Sequence, residues 1–540
     1  MASAEVQETP RAANLSLVAL KCAWPAIAVA ALALLPFLNT PFTIDDPLFL
    51  QEARHAIQDP LHPQAFDVVW SAGLQMRASN LLAGGLAAPY ILIPTVLSGN
   101  KEWVAHLTQI ALLAVALFGT ALVALRLGVD RRGAAVAALL AGTAPAVLGM
   151  AGTAMPDVAA MMYSVLGMER ILAWRERRKW HRGLLAVVWL SLAALTRLHT
   201  VLLLAPAFVF LLDGIRARDI RSSFRNFPAR FVTVAAVPLV VLLAIRLAAD
   251  PEALFDRVTV RQTYLELFRI AANVCAFFTH WFLTAPLTVS WLVLRWRNLS
   301  WRLAVFAIGC ATALAPKLGW AAYLAAATAL VFGDIFLNAV RHRDRVRLAL
   351  GLWLMPALAL AIYADLPSRY VVPLIPAAAI LIARILPDAR PAVRRWLPGA
   401  AVMAGLIVSI LVLSGIRGLA RAQRRAAQEL VAPRTLAVEP VWFAGQWGFH
   451  WYAEAAGAKP AVWLGITPNT GDIIVVSLID VPAFARNWTR KRVIQRVAYD
   501  SGGRVMDMDA GAGFFSNVYG YLPWVWAKGD ANVFEVWRVE

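Results

Sequence analysis

The sequence predicts an α-helical polytopic membrane protein of about 13 transmembrane helices, with a small soluble α/β domain at its C-terminal end. Three observations predict it. Of the 540 residues, 60% are hydrophobic and 16% are charged, against roughly 45–50% and about 25% in soluble domains. The mean hydropathy is +0.62, and the apolar residues gather into runs of spanning length. Beyond about residue 417 those runs stop and short Val-, Ile- and Trp-rich segments replace them. This composition excludes a disordered chain, which needs low hydrophobicity and high charge. It also argues against a soluble multidomain enzyme, which length alone would have allowed.

Lys+Arg number 51 and Asp+Glu 33, a net charge of +18. The cations sit in short clusters between apolar runs, as in Arg175, Arg177, Arg178, Lys179 and Arg182. That arrangement sets topology and attracts anionic membrane lipids rather than nucleic acid, which is not expected as a partner. Cys22, Cys275 and Cys310 all lie in apolar runs without metal-ligand spacing. They read as small buried hydrophobes, not a disulfide framework or a zinc site.

Residues 1–15 read as a cytoplasmic N-terminus and 16–39 as an uncleaved first span. Residues 40–100 form the first outer loop. Within it Asp46-Pro47 opens a short helix, Asp as N-cap and Pro at the first helical position. Phe49, Ala53, Ala56 and Ile57 share its apolar face, with Gln51, Glu52 and Arg54 elsewhere, which suits a helix lying on the membrane surface. Residues 81–98 are broken by Gly84-Gly85, Pro89 and Pro94 and read as re-entrant or interfacial. Further spans fall near 103–126, 133–150, 157–173, 183–197, 198–212, 231–249, 271–294, 301–317, 318–338, 348–365, 370–386 and 397–415. The pairs 183–212 and 301–338 could each be one long helix.

Six basic clusters, from Arg131-Arg132 to Arg390–Arg395, then fall on one side, the cytoplasm. The 40–100 and 250–270 loops and the turns at Pro156-Asp157 and Pro367–Tyr370 face outward. The cluster Arg417–Arg425 disagrees unless it belongs to the tail. The transmembrane domain thus covers 16–416 and an extracytoplasmic α/β domain covers 417–540. In that tail LAVEPVWFAG, GDIIVVSLI and ANVFEVWRV read as strands, and HWYAEAAGA as a helix ending at Gly457.

Chemistry points to the outer side. Asp45 and Asp46 are adjacent carboxylates beside an apolar surface; mutual repulsion and desolvation raise a carboxyl pKa and suit a general base. The plainer alternative is a capping Asp46 and a solvated Asp45. Asp157 opens the fourth span, where the helix dipole alone would favour it, yet it lies on the same side as the acidic pair. Arg197 and Lys317 interrupt apolar runs, and Arg369-Tyr370 opens the twelfth span; each reads as a phosphate clamp or as a snorkelling cation. His55 lies close to the acids in the outer loop. No histidine pair has metal spacing, so no metal site is expected; Asp45, Asp46 and His55 are where a weakly held cation would sit. GxxxxGK[ST] and GxGxxG are absent, so no nucleotide or other cofactor is expected and a transferase would need a lipid-borne, already activated donor.

This arrangement resembles the GT-C class of lipid-dependent glycosyltransferases, closest to the protein O-mannosyltransferase-like and aminoarabinose transferase-like bacterial families. The resemblance rests on Ile44-Asp45-Asp46 and the helix behind it, Pro156-Asp157, Ala194-Leu195-Thr196-Arg197, Ser368-Arg369-Tyr370-Val371-Val372-Pro373, and Trp442–Gly448 in the tail. The family often has Asp-Glu at the acidic pair, and the aminoarabinose transferases follow it with Arg-Tyr where this chain has Leu48-Phe49. What the resemblance implies is an inverting transfer of a sugar from a polyprenyl-phosphate donor to a cell-envelope acceptor (glycolipid, polysaccharide or protein) at the outer face of the inner (plasma) membrane. Asp45 would be the base, Asp46 or Asp157 would orient the acceptor or balance charge, and Arg197, Lys317 or Arg369 would hold the departing phosphate, with His55 and Tyr370 nearby. The competing reading is a membrane transporter or lipid-linked sugar flippase.

Overall fold

The computed structural model describes residues 12–540 except 71–73, 83–84, 178, 227, 249–266, 364, 438–439, 462–467, 481–487, 501 and 530–531. Most of residues 1–15 and of the 250–270 loop, and Gly84, therefore lie outside the described residues. The chain is a multi-pass helical membrane protein. Among the described residues eight helices are long and apolar enough to cross a bilayer, or up to ten if each of two bent pairs is one span. The spans expected at 157–173, 183–197 and 198–212 are present as Asp157–Glu176, Trp180–Thr196 and Leu198–Leu211, but are too short or too charged to join that number.

Proline explains the bends. The span expected over 133–150 is Arg131–Gly142 followed by Pro145–Ala151 at 58°, and that over 271–294 is Arg269–Leu283 followed by Leu287–Asn298 at 69°. Pro145 forces Ala144 into an extended conformation, as a proline does to its predecessor. The two breaks face each other, and the Ala146 N–H donates to the Thr284 carbonyl at 3.1 Å. One broken helix thus satisfies a backbone group of the other at membrane depth. Neither long-helix alternative holds: 183–212 is interrupted at Arg197, whose backbone is extended (φ −143°, ψ 105°), and Gly319 (φ +61°) separates Trp301–Leu318 from Ala321–Arg341.

The outer loop departs from expectation in three ways. Its helix spans Asp46–Gln58, so Asp45 and not Asp46 occupies the N-cap position. The helix does not lie bare on the membrane surface: it packs against Ala88–Leu97 and the tail helix Trp447–Ala455. Glu52, expected on the polar face, is fully buried, while Ile57 is exposed. The third departure is an antiparallel hairpin, Asp67–Trp70 with Leu74–Arg77, that the sequence reading did not contain. Cys22 and Cys275 are buried as expected; Cys310 is exposed, on a helix that presents most of its surface outward.

The last long helix runs unbroken from Pro391 to Ala426, 36 residues. At 1.5 Å per residue that is ~54 Å, well beyond the ~30 Å hydrocarbon layer. Its overhang carries Arg417–Arg425 and enters the tail: Ala422 and Ala426 pack in one cluster with Val441, Phe443, Phe449 and Phe534. The expected boundary at 416/417 thus cuts through a helix. The tail is a five-stranded sheet in the order Lys459–Pro460, Val441–Ala444, Ile473–Ser477, Val533–Val539, Lys491–Ala498. Its first three strands pair in parallel and the rest antiparallel. The three expected strands and the helix are all there; Lys491–Ala498 was not foreseen.

Candidate active site

Two arginine–carboxylate pairs meet at one end of the bundle. Asp157 begins a helix whose other end carries Arg175 and Glu176, so it lies at the end opposite the basic clusters. Pro156 precedes it and sets the turn. Arg197 comes to it from the extended break after Thr196, where the helix has stopped and the side chain is free to swing across. The pair is bidentate: Nε donates to one Asp157 oxygen at 2.9 Å and Nη2 to the other at 2.6 Å. Such forked, charge-assisted pairs are the strong ones, and here Asp157 is fully buried.

The second pair joins the two most distant motifs. Arg369, at the start of the 3₁₀ turn Ser368–Leu374, donates to the Asp45 carboxylate at 2.5 Å. Its Nε is buried with no hydrogen-bond partner among the described residues, which leaves a donor unused in a polar pocket. Tyr370 stands between the guanidinium groups, 5.4 Å from that of Arg369 and 5.8 Å from that of Arg197. Phe49 faces Arg197 from the other side at 5.6 Å. Aromatic faces on both sides hold the cation by its quadrupole interaction without using its N–H groups.

A cavity of about 310 Å³ separates the pairs, lined by Asp45, Arg197, Arg369 and Tyr370 together with His199, Tyr363, Trp70 and apolar side chains of the surface helix. This is the size of a small-molecule site. Half of its wall comes from the 40–85 loop and half from residues 196–199 and 360–370.

Four predicted residues line that cavity, and Asp157 backs Arg197 directly. Three others do not converge there. Asp46 is fully buried, and its oxygens accept from the backbone N–H groups of Thr43 at 3.0 Å and Ala154 at 2.8 Å. It ties the outer loop to the turn before Asp157. Burial pushes its carboxyl up to about 7 in spite of those two amide donors. His55 turns away, its ring 5.3 Å from Phe66. Lys317 lies on the exposed side of Trp301–Leu318 and is not among the lining residues. Asp45, Asp46 and His55 therefore do not form the weak cation site considered above. Among the described residues no group of three or more His, Cys, Asp and Glu is placed to hold a metal.

Sequence reasoning missed Glu52, His199, Tyr363 and Asp365. Glu52 follows Asp45 and Phe49 on one helical stripe, at i+7 and i+3 respectively, which was the available signal. It is fully buried, takes one hydrogen bond from Gln64 at 2.7 Å, and its other oxygen has no hydrogen-bond partner among the described residues. Burial drives its carboxyl well above the usual range. Asp365 precedes the Ser368-Arg369-Tyr370 turn; its carboxyl is raised by burial, an effect opposed by nearby Arg369 and a hydrogen bond from Ser516 of the tail. His199 fixes Tyr370 through its carbonyl at 3.2 Å and an edge-on ring contact at 5.4 Å.

Residues 86–245 match the family model described as dolichyl-phosphate-mannose-protein mannosyltransferase. No curated protein sequence matches the chain significantly. Among solved structures the chain is similar to ArnT from Cupriavidus metallidurans bound to undecaprenyl phosphate, at 16% identity over 87% of this chain and 96% of that one, with a TM-score of 0.50. The apo state of ArnT gives 15% identity, 87% and 95% coverage, and a TM-score of 0.50. Arabinofuranosyltransferase AftD from Mycobacteria aligns over 96% of this chain and 41% of its own at 16% identity, with a TM-score of 0.39. The fold is thus that of ArnT, a GT-C-like helical bundle with a small strand-containing C-terminal region.

Proposed function

We propose that this chain is a membrane glycosyltransferase that moves a sugar from a polyprenyl-phosphate donor to an envelope acceptor, with inversion at the sugar carbon. One observation carries the reading: Asp45, Arg197 and Arg369 face a single small cavity at the end of the bundle opposite the basic clusters, with Asp157 paired behind Arg197. The match of residues 86–245 to a dolichyl-phosphate-mannose-protein mannosyltransferase model supports it, as does the shared fold with ArnT, whose structure holds undecaprenyl phosphate. A transporter is not favoured, since the paired charges gather at the end of the bundle opposite the basic clusters rather than midway along it.

The geometry supports the following roles. The Asp45 carboxylate is held by Arg369. An arriving phosphodiester offers Arg369 a second anion, and its unused Nε offers that anion a donor. Transfer of Arg369 from Asp45 to phosphate frees the carboxylate to take the proton of the acceptor hydroxyl. The acceptor oxygen then bonds to the sugar carbon as the carbon–oxygen bond to phosphate breaks, and the electron pair leaves on the polyprenyl phosphate. Arg369 and Arg197 stabilise that leaving group. Asp157 holds Arg197 in place, Asp46 holds the loop, and Phe49, Leu48 and Leu82 shield the site from water. The polyprenyl tail would lie in the surrounding bilayer, the N-terminus in the cytoplasm and the tail domain outside the inner membrane.

The test is comparative mass spectrometry of envelope glycolipids, polysaccharides and glycoproteins. A gene deletion is complemented with wild type, Asp45→Asn or nothing. One sugar mass missing from one acceptor in both the null and the variant supports the enzyme and names sugar and acceptor. An envelope altered by deletion but restored by Asp45→Asn removes Asp45 as the base and moves transport ahead.

A further inference from the structure

The acid that faces the cavity sits in a strained segment clamped residue by residue, and two of the clamps belong to the tail side of the molecule. Ile44 has φ +50°, a left-handed conformation that a β-branched residue adopts only when its surroundings impose it. It is buried and lies immediately before Asp45. On its N-terminal side, the Thr40 carbonyl contacts His106 Nε2 at 3.0 Å. The Phe42 N–H donates to the Tyr452 hydroxyl at 2.9 Å, and that hydroxyl donates onward to Glu102 at 3.0 Å, which also holds Arg424. The Thr43 hydroxyl donates to Gln423 Oε1 at 2.8 Å. On its C-terminal side Asp46 is fastened to Ala154.

Gln423 is the junction. It is fully buried in the overhang of the last long helix. The same Oε1 that accepts from Thr43 accepts from the Gly448 N–H of the tail helix at 3.1 Å. A backbone amide can only donate, which fixes this atom as the oxygen; Nε2 is buried with no hydrogen-bond partner among the described residues. Gly448 has to be glycine for the approach: a Cβ there would stand 2.2 Å from the Phe42 carbonyl oxygen and 2.7 Å from Gln423 Oε1. One side-chain oxygen therefore joins three otherwise separate pieces, namely the first outer loop, the last membrane helix and the tail.

We propose that Gln423 is a positioning residue for Asp45: by holding Thr43 against the tail helix it imposes the strained turn at Ile44 and aims the Asp45 carboxylate into the cavity. The tail is thereby a component of the reaction centre and not an appended module. This rests on Asp45 acting in transfer as argued above. Released from Gln423, the segment relaxes toward an ordinary φ at Ile44, and the carboxylate loses its aim while the phosphate-binding arginines, which stand on other elements, keep theirs.

The test uses full-length protein in nanodiscs and the complemented deletion strain, with Gln423→Leu, Gln423→Glu and Gly448→Ala. Undecaprenyl phosphate is the binding probe, hydrogen exchange reports the backbone, and the envelope product reports transfer. Gln423→Leu is expected to speed exchange of amides in residues 42–48, to leave exchange in the strand Ile473–Ser477 unchanged, to leave probe affinity within about twofold, and to lower transfer roughly tenfold to a hundredfold, the scale of a misplaced reacting group. Gln423→Glu keeps the oxygen that makes both bonds and is expected to restore transfer. Gly448→Ala displaces the same segment from the other side and should match Gln423→Leu. Unchanged exchange at 42–48 in Gln423→Leu overturns the proposal, as does faster exchange throughout the tail, which would make Gln423 a general folding contact. Failure of Gln423→Glu to rescue also overturns it. If Asp45→Asn retains full transfer, the reading of Asp45 fails independently of these results; if Asp45→Asn is inactive and Gln423→Leu is not, only the positioning proposal fails.

Discussion

Replacing Arg197 with Met tests whether the buried pair is held by charge. Asp157 has no solvent exposure and Arg197 little, and both carboxylate oxygens are taken by the guanidinium at 2.9 and 2.6 Å. An exposed pair would be worth about 0–1 kcal/mol. Breaking a buried one strands a charge and costs about 3–5 kcal/mol. Met keeps the apolar stem between Phe49 and Tyr370, so the loss reports charge more than packing. Arg197→Met should therefore sharply lower the resistance of the nanodisc-embedded protein to thermal unfolding followed by tryptophan fluorescence. The double variant Arg197→Met/Asp157→Leu should recover most of that loss, because no charge is left unpaired, yet remain inactive in the envelope assay. Arg197→Met within about 1 kcal/mol of wild type would refute the reasoning, since the pair would then be solvated. A double variant no more stable than the single one would refute it differently, by showing that volume and not charge sets the cost.

Arg369→Ala should abolish transfer and weaken undecaprenyl phosphate binding, and Arg369→Lys should restore binding more than transfer, because an ammonium supplies the charge without the planar fork of donors that orients the departing phosphate. Asp46 titrates near 7 when folded and near 3.8 as a free carboxyl. Between those values the folded state keeps a proton that the unfolded state has lost, so its contribution to stability falls as pH rises from about 4 to about 7 and is flat above; Asp46→Asn should flatten that slope in pH-dependent thermal unfolding. Glu52→Gln should leave stability at pH 7 unchanged or raised, since burial already favours the neutral form; a loss above about 2 kcal/mol would show that its charge is used. Truncation after residue 416 should abolish transfer even when the helices insert, since it cuts the helix Pro391–Ala426 and removes Gln423. It also removes the tail residues that hold the loop before Arg369: the Leu366 N–H donates to Asn517 and the Ser368 N–H to the Phe514 carbonyl. Full activity in that protein would refute the role given to the tail.

Much of the site was legible in the sequence because membranes restrict it. Charges inside or beside apolar runs are expensive, so Asp45, Asp157, Arg197 and Arg369 stood out against their neighbours, and the positive clusters placed them at a common end. What the sequence could not distinguish was one carboxylate from the next. Asp45 and Asp46 are adjacent and chemically alike, yet one faces the cavity and the other is sealed against two backbone amides. The backbone enters this pair through a left-handed residue, Ile44 (φ +50°), and a strained φ has no sequence signature when the residue is not glycine. Lys317 and Arg197 looked equivalent as cations in apolar runs. The break after Thr196 puts Arg197 in extended backbone from which it reaches Asp157, whereas Lys317 lies in the last turn of Trp301–Leu318 on its exposed side.

The sequence by itself determined the solvent and the local elements: the hydrophobic runs, the proline breaks, the strands of the tail and the acidic and basic residues available for chemistry. These follow from transfer free energies and backbone preferences that act over a few residues. Tertiary structure alone decided the partnerships, Asp45 with Arg369 across 324 positions and Gln423 with Thr43 across 380. Those depend on how broken helices and a distant tail pack in three dimensions, and no local periodicity encodes a contact between segments so far apart in the chain.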